Sequence, residues 1–172
     1  MAYRILILSS LLGFFSGCSS VTANDFFVSL NLRSEEISED SNSQTETLEI
    51  ENTRGTYSWT YEGYQPSEDF DTEASTDFHL TTEEIEALMQ FIRNQELNQD
   101  LVEEQPMTDM GRSVEMALKV EMNGKQTEIL IKGMSETWGE GPGATNLENF
   151  AVVEAAQDLI YTLKDLKNLT EE

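Results

Sequence analysis

Residues Val114–Gly133 admit few folding solutions. Apolar and polar residues alternate on both sides of Asn123-Gly124, a pair that tolerates positive φ and so favours a two-residue hairpin turn. Setting Met122 opposite Lys125 pairs Leu118 with Ile129 and Met116 with Ile131 on one face. The same register sets Lys119 against Glu128 and Glu115 against Lys132 on the other face. Opposite-charge cross-strand pairs of this kind contribute about 0.2–1 kcal/mol each. One register satisfies both faces, so the sequence predicts an antiparallel hairpin.

The remaining elements are read around it. Phe26–Arg33 alternates, with Phe26, Val28, Leu30 and Leu32 on one face, which is strand periodicity. Ser34–Gln44 is acidic and serine-rich and reads as a loop. Thr45–Ile50 and Thr56–Tyr61 read as strands joined by Glu51–Gly55, Pro66–Ser75 as a second acidic loop, and Thr76–Leu80 as a short fourth strand. A helix then starts at Thr81, which forms a capping box with Glu84, while Leu80 and Ile85 stand where a hydrophobic staple would. Ile85, Leu88, Met89 and Ile92 give it one apolar stripe to about Gln95, and Pro106 closes the loop that follows.

Ser135–Ala144 is a glycine-rich loop. The last helix is expected near Thr145, with Glu148 completing a capping box, and it buries Val152, Val153, Ala156, Leu159, Ile160, Leu163 and Leu166. Lys164 and Lys167 suit the negative end of its dipole. The order βββ-β-α-ββ-α predicts an α+β fold: an antiparallel sheet of about six strands with two helices packed on one face. It forms a single domain over residues 26–168, followed by a frayed tail at 169–172.

Composition narrows the function. The chain has 172 residues and carries 10 basic against 33 acidic side chains, a net charge of −23. Ten bases among so many acids cannot build the basic footprint that phosphate binding needs, so nucleic acid is excluded as a partner. One cysteine excludes a disulfide framework, and one cysteine with one histidine excludes the common zinc sites. High net negative charge suits a saline environment, at the cost of self-repulsion in the fold.

The first residues carry the most specific chemistry. Arg4 precedes an uncharged apolar run, Ile5–Phe15, and no acid occurs before Asp25. Charged, apolar and small segments in that order mark a secretory signal. The run of 11 residues is short of the roughly 20 that span a bilayer. Phe15-Ser16-Gly17-Cys18 resembles the lipobox of bacterial lipoproteins, with Ser16, Gly17 and Cys18 in pattern and Phe15 in place of the usual leucine.

The resemblance implies cleavage after Gly17, diacylation of Cys18 and anchoring to a membrane. Residues 1–17 are then signal peptide and 18–25 a lipidated tether. In a Gram-negative host, Ser19 resembles the outer-membrane sorting class, which places the protein in the cell envelope on the periplasmic face of the outer membrane. Two or three acyl chains hold firmly, since each buried CH₂ contributes about 0.8 kcal/mol. The mature domain resembles small lipoproteins of unknown function.

Candidate sites in the mature chain are sparse. Tyr57, Trp59 and Tyr61 share one strand face, with Tyr64 just beyond. They read as core, or as ligand contacts stacking on sugar rings or a partner's surface; Trp138 is a further candidate contact. Asp69, Asp71 and Glu73 alternate ahead of Asp77 and are candidate cation ligands. The EF-hand pattern fails, because Ala74 and Leu80 occupy the places of its glycine and glutamate.

His79 reads as a surface strand residue, with no Gly-x-Ser-x-Gly elbow to partner it. Gly139–Gly143 lacks the lysine of a phosphate loop and carries Glu140 instead. No pattern requires a cofactor. The sequence therefore reads as a lipid-anchored bacterial envelope protein, a non-catalytic binding or accessory module contacting an envelope protein or a glycan. The alternatives are a small carboxylate-based hydrolase and a divalent-cation-binding domain.

Overall fold

A computed structural model describes residues 26–38, 41–63, 72–108, 110–137 and 146–169. The expected alternation at the chain's start becomes β1 (Phe26–Ile37), which pairs with β2 (Asn42–Glu51) and with β6 (Gly111–Met122). The best-defined hairpin forms as the residues dictate. β6 and β7 (Lys125–Thr137) pair with Met122 opposite Lys125, Leu118 opposite Ile129 and Met116 opposite Ile131. Asn123 and Gly124 turn the chain at φ 55° and 72°. On the outer face Lys132 and Glu115 stand 2.6 Å apart, and Lys119 and Glu128 3.9 Å.

With β3 (Arg54–Glu62), β4 (Glu73–His79) and β5 (Leu101–Glu104), the described residues form a seven-stranded sheet in the order β4-β3-β2-β1-β6-β7-β5. Neighbours are antiparallel except β5, which runs parallel to β7. The fold is α+β, with an open, mostly antiparallel sheet and, among the described residues, two helices, α1 (Thr82–Asn94) and α2 (Phe150–Lys167).

Three expectations are corrected. The sheet has seven strands rather than about six, because Leu101–Glu104, read as loop, pairs with Ile129–Lys132. Four residues leave no room for a periodic signal, so only their partner strand defines them. Ser34–Gln44 is not a loop throughout: β1 runs to Ile37, and β2 begins at Asn42 through the pairs Ser34↔Gln44, Glu35↔Ser43 and Glu36↔Asn42. Backbone pairing continues there without an apolar face. The β2–β3 connection is likewise shorter than Glu51–Gly55, since Glu51 pairs with Arg54 and only Asn52, at φ 56°, and Thr53 turn.

Helix α1 begins as its sequence requires. The Glu84 N–H donates to Thr81 Oγ1 at 3.2 Å, and the Thr81 N–H donates to Glu84 Oε2 at 2.7 Å. Leu80 and Ile85 are both buried. It ends in a Schellman turn: Glu96 is left-handed at φ 56°, its N–H donates to Arg93 O, and the Leu97 N–H donates to Ile92 O. Helix α2 ends similarly, with Asn168 left-handed and the Leu169 N–H on Lys164 O. Leu169, the residue after that cap, is only 6% exposed.

One cluster forms the core. It joins alternate residues of β1, β2, β3, β6 and β7 to Ile85, Leu88, Met89 and Ile92 of α1 and to Val153, Ala156, Leu159, Ile160 and Leu163 of α2. Val152 and Leu166, expected within it, are half-buried at its margin.

Gly55 holds a particular place in this packing. It pairs across strands with Phe78, and a methyl group added there would collide with the Phe78 ring, itself 7% exposed. Gly55→Ala therefore displaces that ring, and overpacking of this kind costs about 1–3 kcal/mol. The expected drop in the urea midpoint should be largely recovered in Gly55→Ala/Phe78→Leu. An unchanged midpoint for the single variant would contradict the packing.

Candidate functional site

The side of the sheet opposite the core carries the distinctive surface. Because side chains alternate along each strand, in-register pairs place one residue from every strand in rows across that side. The central row reads Ser75, Ser58, Thr47, Asn31, Ala117, Leu130 and Val102, crossing all seven strands. Every member is uncharged. At about 4.8 Å per strand the row spans roughly 29 Å. Asn31 Nδ2 donates to Thr47 Oγ1 at 3.2 Å, so the β4-side half presents hydroxyls and an amide, while Ala117, Leu130 and Val102 are apolar.

The flanking rows carry most of their charge at the two ends and the middle of the sheet, with threonine and serine between. On one side lie Glu73, Thr60, Thr45, Arg33, Glu115, Lys132 and Glu104, and on the other Asp77, Thr56, Glu49, Ser29, Lys119 and Glu128. Several of these charges pair locally, Arg33 with Glu35 at 3.6 Å among them. The Glu115 side chain, hydrogen-bonded to Lys132, raises the Lys132 pKa above its ordinary 10.5. On the β1, β6 and β7 strands, longer and paired side chains such as Lys132–Glu115 and Lys119–Glu128 thus border the lane. A lane of this form can hold an extended ligand by side-chain contacts along its length.

The aromatic row lies elsewhere. Tyr57 and Trp59 are 2% and 6% exposed and belong to the core, and Tyr61 is half-buried against it. Tyr57 instead joins a largely buried polar group. Its hydroxyl donates to Glu46 Oε1 at 2.8 Å and accepts from Lys164 Nζ at 3.2 Å, with Lys164 and Glu46 3.6 Å apart. The ammonium also lies 5.1 Å from the Tyr57 ring centroid. These contacts tie the end of α2 to β2 and β3, so the arrangement is an anchor between layers. Sequence alone could not pair residues so distant in the chain.

Glu73 and Asp77 sit on the edge strand β4, both exposed, and Asp77 Oδ1 accepts from Thr56 Oγ1 at 2.7 Å. Among the described residues, no three histidine, cysteine or acidic side chains group to hold a metal ion. His79 is exposed beside Arg54 in register. Cys18, Tyr64, Asp69, Asp71, Trp138 and the Gly139–Gly143 loop lie outside the described residues.

The start of α2 differs from the capping box expected at Thr145. Its N-cap is Asn149, and the Asn149 side chain makes no capping bond. The carboxylate of Glu103, on β5, replaces it. Glu103 accepts from the Glu148 N–H at 2.7 Å, from the Asn149 N–H at 3.0 Å and from Asn149 Nδ2 at 3.0 Å. Burial pushes the Glu103 pKa up, but these hydrogen bonds outweigh it and hold the carboxyl below its ordinary 4.5.

On the helix side, a shallow depression of about 230 Å³ lies between Asn94–Glu96 and the first turns of α2 at Ala151, Val152 and Ala155. That is below the roughly 300–1,000 Å³ typical of small-molecule pockets. Among the described residues no helix is long and apolar enough to cross a membrane. The chain matches no protein-family model and no curated protein.

Proposed function

We infer that this protein is a lipid-anchored component of a bacterial envelope, a non-catalytic binding or accessory module whose open sheet face engages an envelope partner. In this reading both helices back one face of the sheet, Cys18 carries the anchor, and the opposite face is left for contact. One observation carries the inference: an uncharged lane crosses all seven strands of a chain whose net charge is −23. Strong self-repulsion favours spreading charge evenly over a surface, so an uncharged lane asks for another cause. A protein partner suits the lane better than a glycan, because Tyr57 and Trp59, the rings that would stack on sugars, lie in the core.

A photo-crosslinking amino acid at Asn31 or Ala117, in cells carrying the full chain, tests the reading. It should give one discrete adduct, reduced at least tenfold by Thr47→Arg, which places a long cation in the lane. No adduct, or robust hydrolysis of envelope substrates by the purified protein, would overturn the binding role. The anchor is tested separately by intact mass. Material lacking residues 1–17 and carrying added hydrocarbon on Cys18 supports it, and an unprocessed precursor removes it.

A further inference from the structure

We propose that the free edge of β5 receives an extended segment of a partner protein as an eighth strand, and that this segment alternates apolar with basic side chains. The proposal rests on the binding role above and specifies its mode and the partner's chemistry.

Strand β5 ends the sheet, and among the described residues no strand pairs with its outer side. The Gln105 N–H donates inward to Lys132 O at 2.9 Å. Amide direction alternates along an extended strand, so Val102 and Glu104 point their N–H and C=O groups outward. An edge of this kind is a ready template for another chain, and proteins usually blunt it with charge. The opposite edge is blunted in that way, since β4 exposes Glu73, Asp77 and hydroxyl side chains.

The β5 edge also carries exposed acids, Asp100 and Glu104, but adds an apolar surface that β4 lacks. Val102 is 74% exposed and adjoins Leu130, 39% exposed, as its register partner. Met107 and Met110, 38% and 55% exposed, follow in the segment leading to β6. Val102 and Leu130 are two of the five exposed large apolar side chains among the described residues. Methionine adapts its shape to varied partners.

Charge selects the occupant. Glu104 and Asp100, both exposed, flank Val102, Asp100 Oδ1 also accepting from the Glu128 N–H at 3.0 Å, and the chain as a whole carries −23. A second copy would bring the same sign to the same edge. A segment with lysine or arginine beside Asp100 and Glu104, and an apolar residue over Val102 and Leu130, is complementary in both respects. Main-chain hydrogen bonds then give affinity and alternate side chains give specificity.

The test is selection of a phage-displayed library of nine-residue peptides on the full chain. Enriched peptides should alternate apolar with Lys or Arg, and bind at least tenfold more weakly to Val102→Pro and to Val102→Lys. Proline at an outward-facing edge position removes one outward donor and leaves the bonds to β7 intact. Thermal melting of both variants within a few degrees of the wild type shows that folding is unaffected, and Val102→Lys decides the matter should the proline variant fail to fold.

Peptides that bind Val102→Pro and Val102→Lys as well as wild type but lose affinity for Thr47→Arg would overturn the edge proposal and leave the lane reading standing. Enrichment of acidic peptides, or no enrichment, overturns the edge proposal. So does concentration-dependent dimerisation through β5 by sedimentation, because the occupant would then be a second copy.

Discussion

Lys164→Met should destabilise the protein by about 3–5 kcal/mol, the usual cost of removing one partner from a buried ion pair. The side chains of Lys164 and Glu46 are only 14% and 11% exposed. Removing the ammonium leaves the Glu46 carboxylate largely buried, still accepting from the Tyr57 hydroxyl but without a counter-charge. The substitution also makes the net charge one unit more negative. Replacing both partners behaves differently. Glu46→Leu/Lys164→Met removes both desolvated charges and should recover most of the loss, since apolar replacements of buried pairs are often neutral. Tyr57→Phe, which deletes the bridging hydroxyl, should cost about 1–2 kcal/mol. Urea denaturation of the wild type, Glu46→Leu, Lys164→Met and the double variant gives the coupling energy directly. Additive losses from Glu46→Leu and Lys164→Met would show that the two charges do not act as a unit.

That cluster marks the limit of what the sequence discloses. The β6–β7 hairpin, the start of α1 and the alternation of β1 are legible because local pattern and tertiary partner agree. The Asn123-Gly124 turn, the Thr81–Glu84 box and the Phe26–Leu32 alternation each specify their element within a few residues. The misread parts share the opposite property. Strand β5 is too short to show a period. Ser34–Ile37 extends β1 through backbone pairing with polar side chains, which reads as loop. The lane on the open face was equally hidden. Its members, from Ser75 to Val102, are individually unremarkable side chains on seven strands, and only the register aligns them.

The cap of α2 is the second large effect, and it too joins distant residues. Glu103→Ala should destabilise the protein by about 2 kcal/mol, in the range of a lost cap and of hydrogen bonds to a charged group. For a chain of this size that corresponds to a fall in Tm of very roughly 4–8 °C. The carboxylate satisfies amides that the helix cannot pair itself, and its negative charge sits at the positive end of the helix dipole. No acidic residue in the first turn of α2 could substitute for it.

The same carboxylate gives the effect a pH signature. Its pKa in the folded protein lies below the ordinary 4.5, so its contribution is fully present above about pH 4.5 and disappears as pH falls through the folded value. Glu84 behaves alike. Burial raises its pKa, but hydrogen bonds from Lys167 and Thr81 and the Lys167 charge lower it further. Between neutrality and pH 4.5, Tm of Glu103→Gln should therefore lie below wild type by a nearly constant amount. Below pH 4.5 the gap should narrow as the wild-type cap protonates, while Glu84→Gln narrows independently. Melting curves collected from pH 7 to pH 3 measure this. A gap that stays constant through the acid range would mean that Glu103 holds α2 by packing and shape rather than by its charge.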